Sequence, residues 1–298
     1  MATFLQLLFS GLALGAVYAL IALGFVVIYR SSQVFNFAQG EFLACGALLM
    51  ASLVRADVPW FLALLIALGG TGILAALTER IALRPLIGRP VFVTIIVTIF
   101  AGLIIRTMML VLWGTDTRGM PTPWDTTATV SIGGAQVLVN SLVGIGAGVL
   151  ALGLFYVLIR TTRIGVAMRA TASDQETALA LGIPVGKVFG ITWFVAGALA
   201  ALGGVFLGMF PNSVDTNLGF VALRAFPAVI VGGLESASGA AIAGILLGIL
   251  EVMTQGYVNP HLGDFGHNVH TVFPYMVMIV FLVVRPYGLF GQATVKRV

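Results

Sequence analysis

Charge is what this sequence lacks most. Only 9% of its 298 residues are Asp, Glu, Lys or Arg, against 59% hydrophobic residues and a mean hydropathy of +1.08. That balance excludes an ordinary soluble globule and suits a polytopic membrane chain. No polar stretch is long enough to build an extramembrane domain with a core of its own. Cysteine is reduced to Cys45, set in an apolar run, so an internal disulfide is excluded and a thiolate metal site is not expected. Histidine is confined to the loop NPHLGDFGHNVH, where His261, His267 and His270 lie with Asp264. Their spacing matches no zinc pattern, and Gly263 and Gly266 suit a loose turn, so a polar external loop is the plainer reading.

Catalytic signatures are missing too. GIPVGKV resembles a phosphate-binding loop only in its Gly186-Lys187 pair; the required earlier Gly and following Ser or Thr are Leu181 and Val188. The chain is therefore not expected to hydrolyse ATP, and no cofactor is implied. No HExxH, Ser-His-Asp order or intramembrane carboxylate pair beside a histidine offers a reaction centre. The net charge of +4 and pI near 9.6 do not point to nucleic acid, because the basic residues are scattered over short loops.

What the chain has is long apolar runs. A helix needs about 20 apolar residues to cross the hydrocarbon, which predicts spans near 4–29, 36–54, 60–83, 91–113, 138–159, 188–210, 220–234, 239–256 and 271–284. The seventh and eighth are short enough to form a re-entrant pair buried in protein. The first run has no basic flank and exceeds a signal peptide's apolar region, so it is expected to stay as a helix. Sorting basic residues by side places Arg30, Arg80, Arg84, Arg89, Arg160, Arg163, Arg169, Lys187, Arg285, Lys296 and Arg297 together, eleven of fifteen. By the positive-inside rule that side is cytoplasmic, with the amino terminus external and the carboxyl terminus inside. Arg55, Arg106, Arg118 and Arg224 are the exceptions. Many of the 37 glycines recur at spacings of three and four, which predicts close helix packing in lipid.

Two groups of residues stand out. Asn36, Phe37, Gln39 and Glu41 in NFAQGE, with Tyr18 of the first span, form a candidate translocation-pathway set, since polar groups at membrane depth face a cavity or a partner. Packing is the competing reading for Asn36 to Glu41. Glu79 and Glu251 are further intramembrane carboxylates, and for Glu79 a neighbouring Arg or backbone donors are expected to satisfy it. The second group is RATASDQETALALGIPVGK, 169–187. Ala170, Ala172, Ala178 and Ala180 favour helix, Asp174 suits a helix amino end, and Gly182, Ile183 and Pro184 suit a helix stop.

Five motifs in order resemble the permease subunits of branched-chain amino acid ABC importers, of the LivH type: SGLALGAVYALIALGFVVIY, NFAQGE, TERIALRPL, RIGVAMRATASDQETALALGI and RAFPAVIVGGLESASGAAIAGILLGILE. The resemblance implies an all-α inner-membrane protein of about eight or nine transmembrane helices, a single type II importer-like permease domain over 1–298. It implies cytoplasmic ABC ATPase subunits as partners, a second LivM-like permease in a heterodimer, and a periplasmic substrate-binding protein reaching loops near 114–137, 211–219 and 257–270. It also implies an ATPase-coupling helix within 163–187, assigning that role to Arg169, Ala170, Ala172, Asp174, Glu176, Ala178, Gly182, Ile183 and Pro184. Two departures are visible. Gln39 stands where the family often has His, and Glu235 and Ala237 stand where Gly and Pro are expected, which leaves the turn between the seventh and eighth spans open. The implied substrates are branched-chain or other small hydrophobic amino acids, with urea, short amides or aromatic acids as alternatives. An ATP-independent secondary transporter, using Glu41 and Glu251 for a coupling ion, is the rival class.

Overall fold

The computed structural model describes the chain except residues 87–88, 126, 210–212, 263–267, 286–287 and 291–298. Helices α1 (Ala2–Ser32), α2 (Gln39–Arg55), α3 (Trp60–Thr78) and α4 (Val91–Trp113) precede a small hairpin of β1 (Thr129–Ile132) and β2 (Ala135–Leu138). Helices α5 (Val139–Thr161), α6 (Arg163–Ser173), α7 (Gln175–Ala180) and α8 (Val185–Met209) follow. The short α9 (Val221–Arg224) and α10 (Phe226–Gly232) then lead to α11 (Ala237–Met253) and α12 (Val269–Val284). Among the described residues, six helices are long and apolar enough to cross a membrane: α1, α3 with its extension to Leu86, α4, α5, α8, and α11 with its extension to His261.

The sequence-based spans recur as helices with three corrections to their bounds, although α2 (17 residues) and α12 (16 residues) are shorter than the six that suffice alone. Helix α2 starts at Gln39, not Asn36, because Asn36 is spent on capping the turn before it: its Oδ1 accepts the Ala38 N–H at 3.0 Å. The predicted seventh span, 220–234, is a broken helix over Leu218–Gly232, too short to cross lipid unaided. The predicted eighth is a full-length segment, so the pair is not two equal short halves. Its entry turn forms without the expected Gly and Pro: Gly233 takes a φ of 99°, and the Ser236 hydroxyl accepts the Gly239 N–H at 3.0 Å. The β hairpin was not anticipated, although Gly133-Gly134 between alternating residues is a recognisable turn signal; their φ values are 58° and 83°.

Helices α1 and α8 form the centre, and α3, α4, α5 and α12 turn apolar side chains such as Phe61, Phe100, Ile104, Leu150 and Val283 outward. In water such a surface would be prohibitive; in hydrocarbon it is the expected face. Inside, contact is made by missing side chains. A Cβ on Gly15 would stand 2.7 Å from the Ile245 Cα, one on Gly248 2.3 Å from the Gly15 Cα, and one on Gly244 2.6 Å from the Ala19 nitrogen. Helices α1 and α11 thus run antiparallel at backbone contact, as small residues allow in lipid. Helix α8 meets α2 the same way, through Gly46 against Ala201 and Gly204 against Leu43.

Helix α1 also gives the molecule a ruler, about 46 Å long at 1.5 Å per residue. At its start Leu5 lies beside Gly133 of the hairpin, and at its end the Ser31 carbonyl accepts the Gln175 side-chain amide at 3.1 Å. The hairpin and the α6–α7 elbow therefore mark opposite ends of the bundle. Arg30, Arg84, Arg160, Arg169 and Lys187 lie at the elbow end, where α1, α3 and α5 finish and α8 begins; Lys296 and Arg297 fall outside the described residues.

Replacing Gly248 with Val should cost more than the roughly 1–3 kcal/mol of ordinary overpacking, because the obstacle is backbone. Gly146, with nothing within 4 Å of its missing Cβ, should accept Ala without loss. Thermal unfolding of the two variants in detergent checks the contrast.

Candidate functional site

The largest described cavity, about 870 Å³, occupies the hairpin half of the bundle. Its walls come from the first half of α1, the start of α5, the end of α8, segment 213–224 and the end of α11. The wall is mixed: Leu14, Val17, Phe206, Leu218 and Val221 are apolar, Ser10, Asn140, Ser141, Asp215, Asn217, Gln255 and His270 are polar, and a charged group sits at its floor. The Tyr18 hydroxyl donates to Glu251 Oε2 at 2.7 Å, and Arg224 Nη1 stands 3.8 Å from Glu251 Oε1. Tyr18 is thirteen residues from both Leu5 and Ser31, so this group lies at mid-depth. Just past Glu251 the helix widens into a π turn at Thr254–Val258, of the kind that often marks a functional site. Towards the elbow the path is filled. Ala19 to Ile28 of α1 are buried, and the Phe226 ring packs 5.9 Å from Phe25, 6.1 Å from Phe35 and 6.4 Å from Phe37.

The candidate pathway residues divide between places. Tyr18 lines the cavity. Asn36 and Gln39 do not: the Asn36 amide donates to Gln39 Oε1 at 3.2 Å, and Gln39 Nε2 reaches over Gly24 to the Ala196 carbonyl at 3.1 Å. In this arrangement the pair ties the start of α2 to α8. Phe37 is part-exposed, with its N–H on Thr98 Oγ1 at 3.3 Å. Glu41 pairs with Arg106 at 3.6 Å; Arg106 donates to Asn217 Oδ1 at 2.7 Å and lies 4.4 Å above the Phe220 ring. Since Asn217 lines the cavity, this chain of contacts runs from α2 to its rim.

Arg106, Asn217 and Arg224 were missed by sequence reasoning, although Arg106 and Arg224 were visible as exceptions to the sorting of basic residues by side. A basic residue inside an apolar run asks for an acidic partner, and Glu41 and Glu251 are those partners. His270 binds Asn259 through Nδ1 at 2.8 Å, and His267 and Asp264 fall outside the described residues. Among the described residues no group of three His, Cys, Asp or Glu is placed to hold a metal.

At the elbow end, 163–187 forms two helices with a break, not one. Thr162 caps α6 by accepting the Gly165 N–H at 3.0 Å, and Arg169 donates to the Ile159 carbonyl. Asp174 then leaves helical geometry, ends α6 and caps α7, its Oδ1 accepting the Thr177 N–H at 2.9 Å. That hydrogen bond holds the Asp174 carboxyl below its ordinary value of 3.8, so the cap is intact at neutral pH and is lost only as acid protonates it below that value. Gly182, at φ 81°, stops α7: its N–H binds the Leu179 carbonyl at 2.9 Å and the Ile183 N–H binds that of Ala178 at 2.9 Å. Pro184 leads into α8. Ala178 is buried, whereas Glu176, Leu179, Ala180 and Leu181 face outward. Ala170 and Ala172 belong to α6.

A strut joins this elbow to α3. Glu79 lies on the π turn Glu79–Leu83 and takes two hydrogen bonds from Arg84, at 3.2 and 2.9 Å, while Arg84 Nη2 also donates to the Gly186 carbonyl at 2.5 Å. The expected Arg partner of Glu79 is thus Arg84.

With this geometry in hand, comparison with known proteins is direct. The family model described as the permease component of branched-chain amino acid transport systems matches residues 7–282. The chain belongs to that family. Among relatives, the LivH permease of the high-affinity branched-chain amino acid transport system of Escherichia coli K12 is 30% identical over 312 residues, covering 99% of this chain and 98% of its own. The BraD permease of Pseudomonas aeruginosa is 29% identical over 308 residues with the same coverage. A probable LivH of Methanocaldococcus jannaschii is 30% identical over 289 residues, 91% of this chain and 88% of its own. The solved structure of PsaBC from Streptococcus pneumoniae in complex with Fab shares the fold, at a TM-score of 0.55 and 13% identity over 96% of this chain and 92% of that one. The permease is therefore a mostly helical, multi-pass membrane component of an ABC-type transport system and not itself its ATPase.

Replacing Arg84 with Ala strands the buried Glu79 carboxylate and should cost about 1–3 kcal/mol, discounted for the partial exposure of Arg84. Glu79→Gln together with Arg84→Met should cost less than Arg84→Ala alone; the order of the unfolding midpoints in detergent checks this.

Proposed function

We propose that the permease is the membrane subunit of an ATP-driven importer, and that it moves branched-chain or similar small hydrophobic amino acids by alternating access. The elbow end faces the cytoplasm and the hairpin end the outside of an inner membrane, with a periplasmic binding protein delivering substrate near 114–137, 211–219 and 257–270. A second permease of LivM type completes the pathway beside a single transmembrane domain. The names of the relatives support the substrate class and a transport system.

The observation that carries the reading is the α6–α7 elbow. Leu179 and Leu181 are 59% and 75% exposed at the end where the basic residues gather and water, not lipid, is the neighbour. Apolar side chains held outward by a capped six-residue helix suit insertion into a groove of another subunit. Asp174 and Gly182 fix that helix at both ends, Arg169 ties the preceding α6 to α5, and Pro184 with the Arg84 strut passes its movement to α8 and α3. A load applied at Glu176 to Ala180 therefore moves helices and does not merely bend a loop.

In this reading the present conformation faces outward. The cavity occupies the outer half, and the Phe25, Phe35, Phe37 and Phe226 rings fill the way in. Binding of ATP on the partner subunits shifts the balance between outward and inward arrangements through their different affinities for the elbow. Tyr18, Phe37 and Glu41 border the route, while Asn36 and Gln39 hold the start of α2 in place.

Purification from the native membrane in mild detergent, followed by mass spectrometry, tests the assembly: soluble ATPase chains and a second permease should accompany the chain. If it emerges only with copies of itself, the elbow has no partner and an ATP-independent transporter becomes the better reading. Two variants sharpen the test. Leu181→Glu should abolish recovery of the ATPase chains while membrane abundance is retained. Gly182→Val forbids the left-handed stop, and it should cut uptake at least tenfold per ATP hydrolysed; normal uptake would sink the coupling assignment.

A further inference from the structure

The floor of the outer cavity holds a pair of opposite charges that is only half engaged. Glu251 Oε2 is fixed by the Tyr18 hydroxyl at 2.7 Å, but Glu251 Oε1 has no hydrogen bond among the described residues, and Arg224 Nη1 remains 3.8 Å away. That separation is a Coulomb contact, too long for a hydrogen bond. Arg224 makes no hydrogen bond to any other group of the described residues and lines the cavity with Glu251. An unused acceptor and an unused planar donor fork therefore lie side by side at mid-depth. Elsewhere on the cavity wall the buried Ser141 Oγ has no hydrogen-bond partner among the described residues.

We infer that Arg224 and Glu251 form the binding site for the zwitterionic head of an amino acid, with the α-carboxylate on the Arg224 guanidinium and the α-ammonium on Glu251 Oε1. This rests on the import function proposed above and assigns it a site. Three features favour such a ligand. Its two charges are separated by one carbon, so it bridges a guanidinium and a carboxylate that stand close without bonding each other. It is neutral overall, so occupying the site adds no net charge to the membrane interior, whereas an anion or a cation alone would. Its side chain then has the apolar area of Leu14, Val17, Phe206, Leu218 and Val221 to lie against, on a wall that also carries Asn140, Asp215 and Asn217. Tyr18 is a positioning residue here: it holds one oxygen of Glu251 so that the other is presented to the cavity.

The position suits release as well as capture. Arg224 is followed by the break at Ala225 and then Phe226, the ring around which the inner plug is built. Substrate bound to Arg224 therefore pulls on the short helix that carries the plug.

The test uses the complete transporter reconstituted with its ATPase, second permease and binding protein in proteoliposomes, with radiolabelled leucine as probe and leucinamide and 4-methylpentanoate as competitors. Wild-type leucine uptake should be inhibited at least tenfold less well by either competitor, each lacking one charge, than by unlabelled leucine. Arg224→Gln and Glu251→Gln should each lower leucine uptake tenfold or more, and Arg224→Lys, which keeps the charge but loses the fork, should retain a part of it. Tyr18→Phe should raise the leucine concentration needed for half-maximal uptake with little change in maximal rate, a split that general loss of packing would not give. Should a Gln variant fail to reach the assembled complex, Arg224→Lys and Tyr18→Phe decide the matter, since the binding protein is the same in every assay: wild-type uptake at all leucine concentrations in both overturns the site. Wild-type leucine uptake with unchanged uptake in Arg224→Gln and Glu251→Gln overturns this site alone. Equal inhibition by leucinamide and leucine does the same. Wild-type import of urea or short amides but not leucine overturns this site together with the import reading.

Discussion

Backbone contact between α1 and α11 is the constraint on which the rest of the structure depends. Between helices in hydrocarbon there is no hydrophobic drive, because lipid tails solvate leucine as well as another helix does. What remains is dispersion, and that falls away steeply with distance. Gly15 set against Gly248 and Gly244 set against Ala19 allow the two helices to touch along their length. The same closeness places the Tyr18 hydroxyl on the Glu251 carboxylate. A packing device thus also determines where a polar group can sit at mid-membrane.

Charge in this chain is rare and local, and nearly every intramembrane charge has found its opposite. Glu79 has Arg84, Glu41 has Arg106, and Glu251 has Arg224 with Tyr18. The three differ in how tightly they are closed. Glu79 and Arg84 share two good hydrogen bonds and a third contact to α8, as befits a fixed strut. The two pairs in the outer half stand at 3.6 and 3.8 Å, loose enough to exchange partners. This gradient separates a stiff end from an adaptable one, which is what a protein needs if movement begins at the first and is used at the second.

Much of the fold could be read along the chain because lipid punishes ambiguity: a run of twenty apolar residues has few other options. The helix stop at Gly182 and the cap at Asp174 were equally legible, since both depend on residues only a few positions apart. Less was legible where partners are distant in sequence. Asn36 and Gln39 were grouped with Tyr18, with packing as the alternative, and in the structure the pair bridges to Ala196 while Tyr18 lines the cavity. Arg106 and Arg224 stood only as remainders of a charge count, although they complete the polar groups of the outer half.

The sequence by itself therefore determined the solvent, the approximate spans, the family resemblance and the local geometry of the elbow, because each follows from composition, period or neighbours within a turn. Only the tertiary structure decided that 218–232 is a broken helix, that Gln39 bridges to Ala196, and that Arg224 meets Glu251 beside a cavity. Gln39 and Ala196 lie 157 positions apart, and Arg224 reaches Glu251 only because the chain between them breaks and turns back. No helical period along the chain signals either contact.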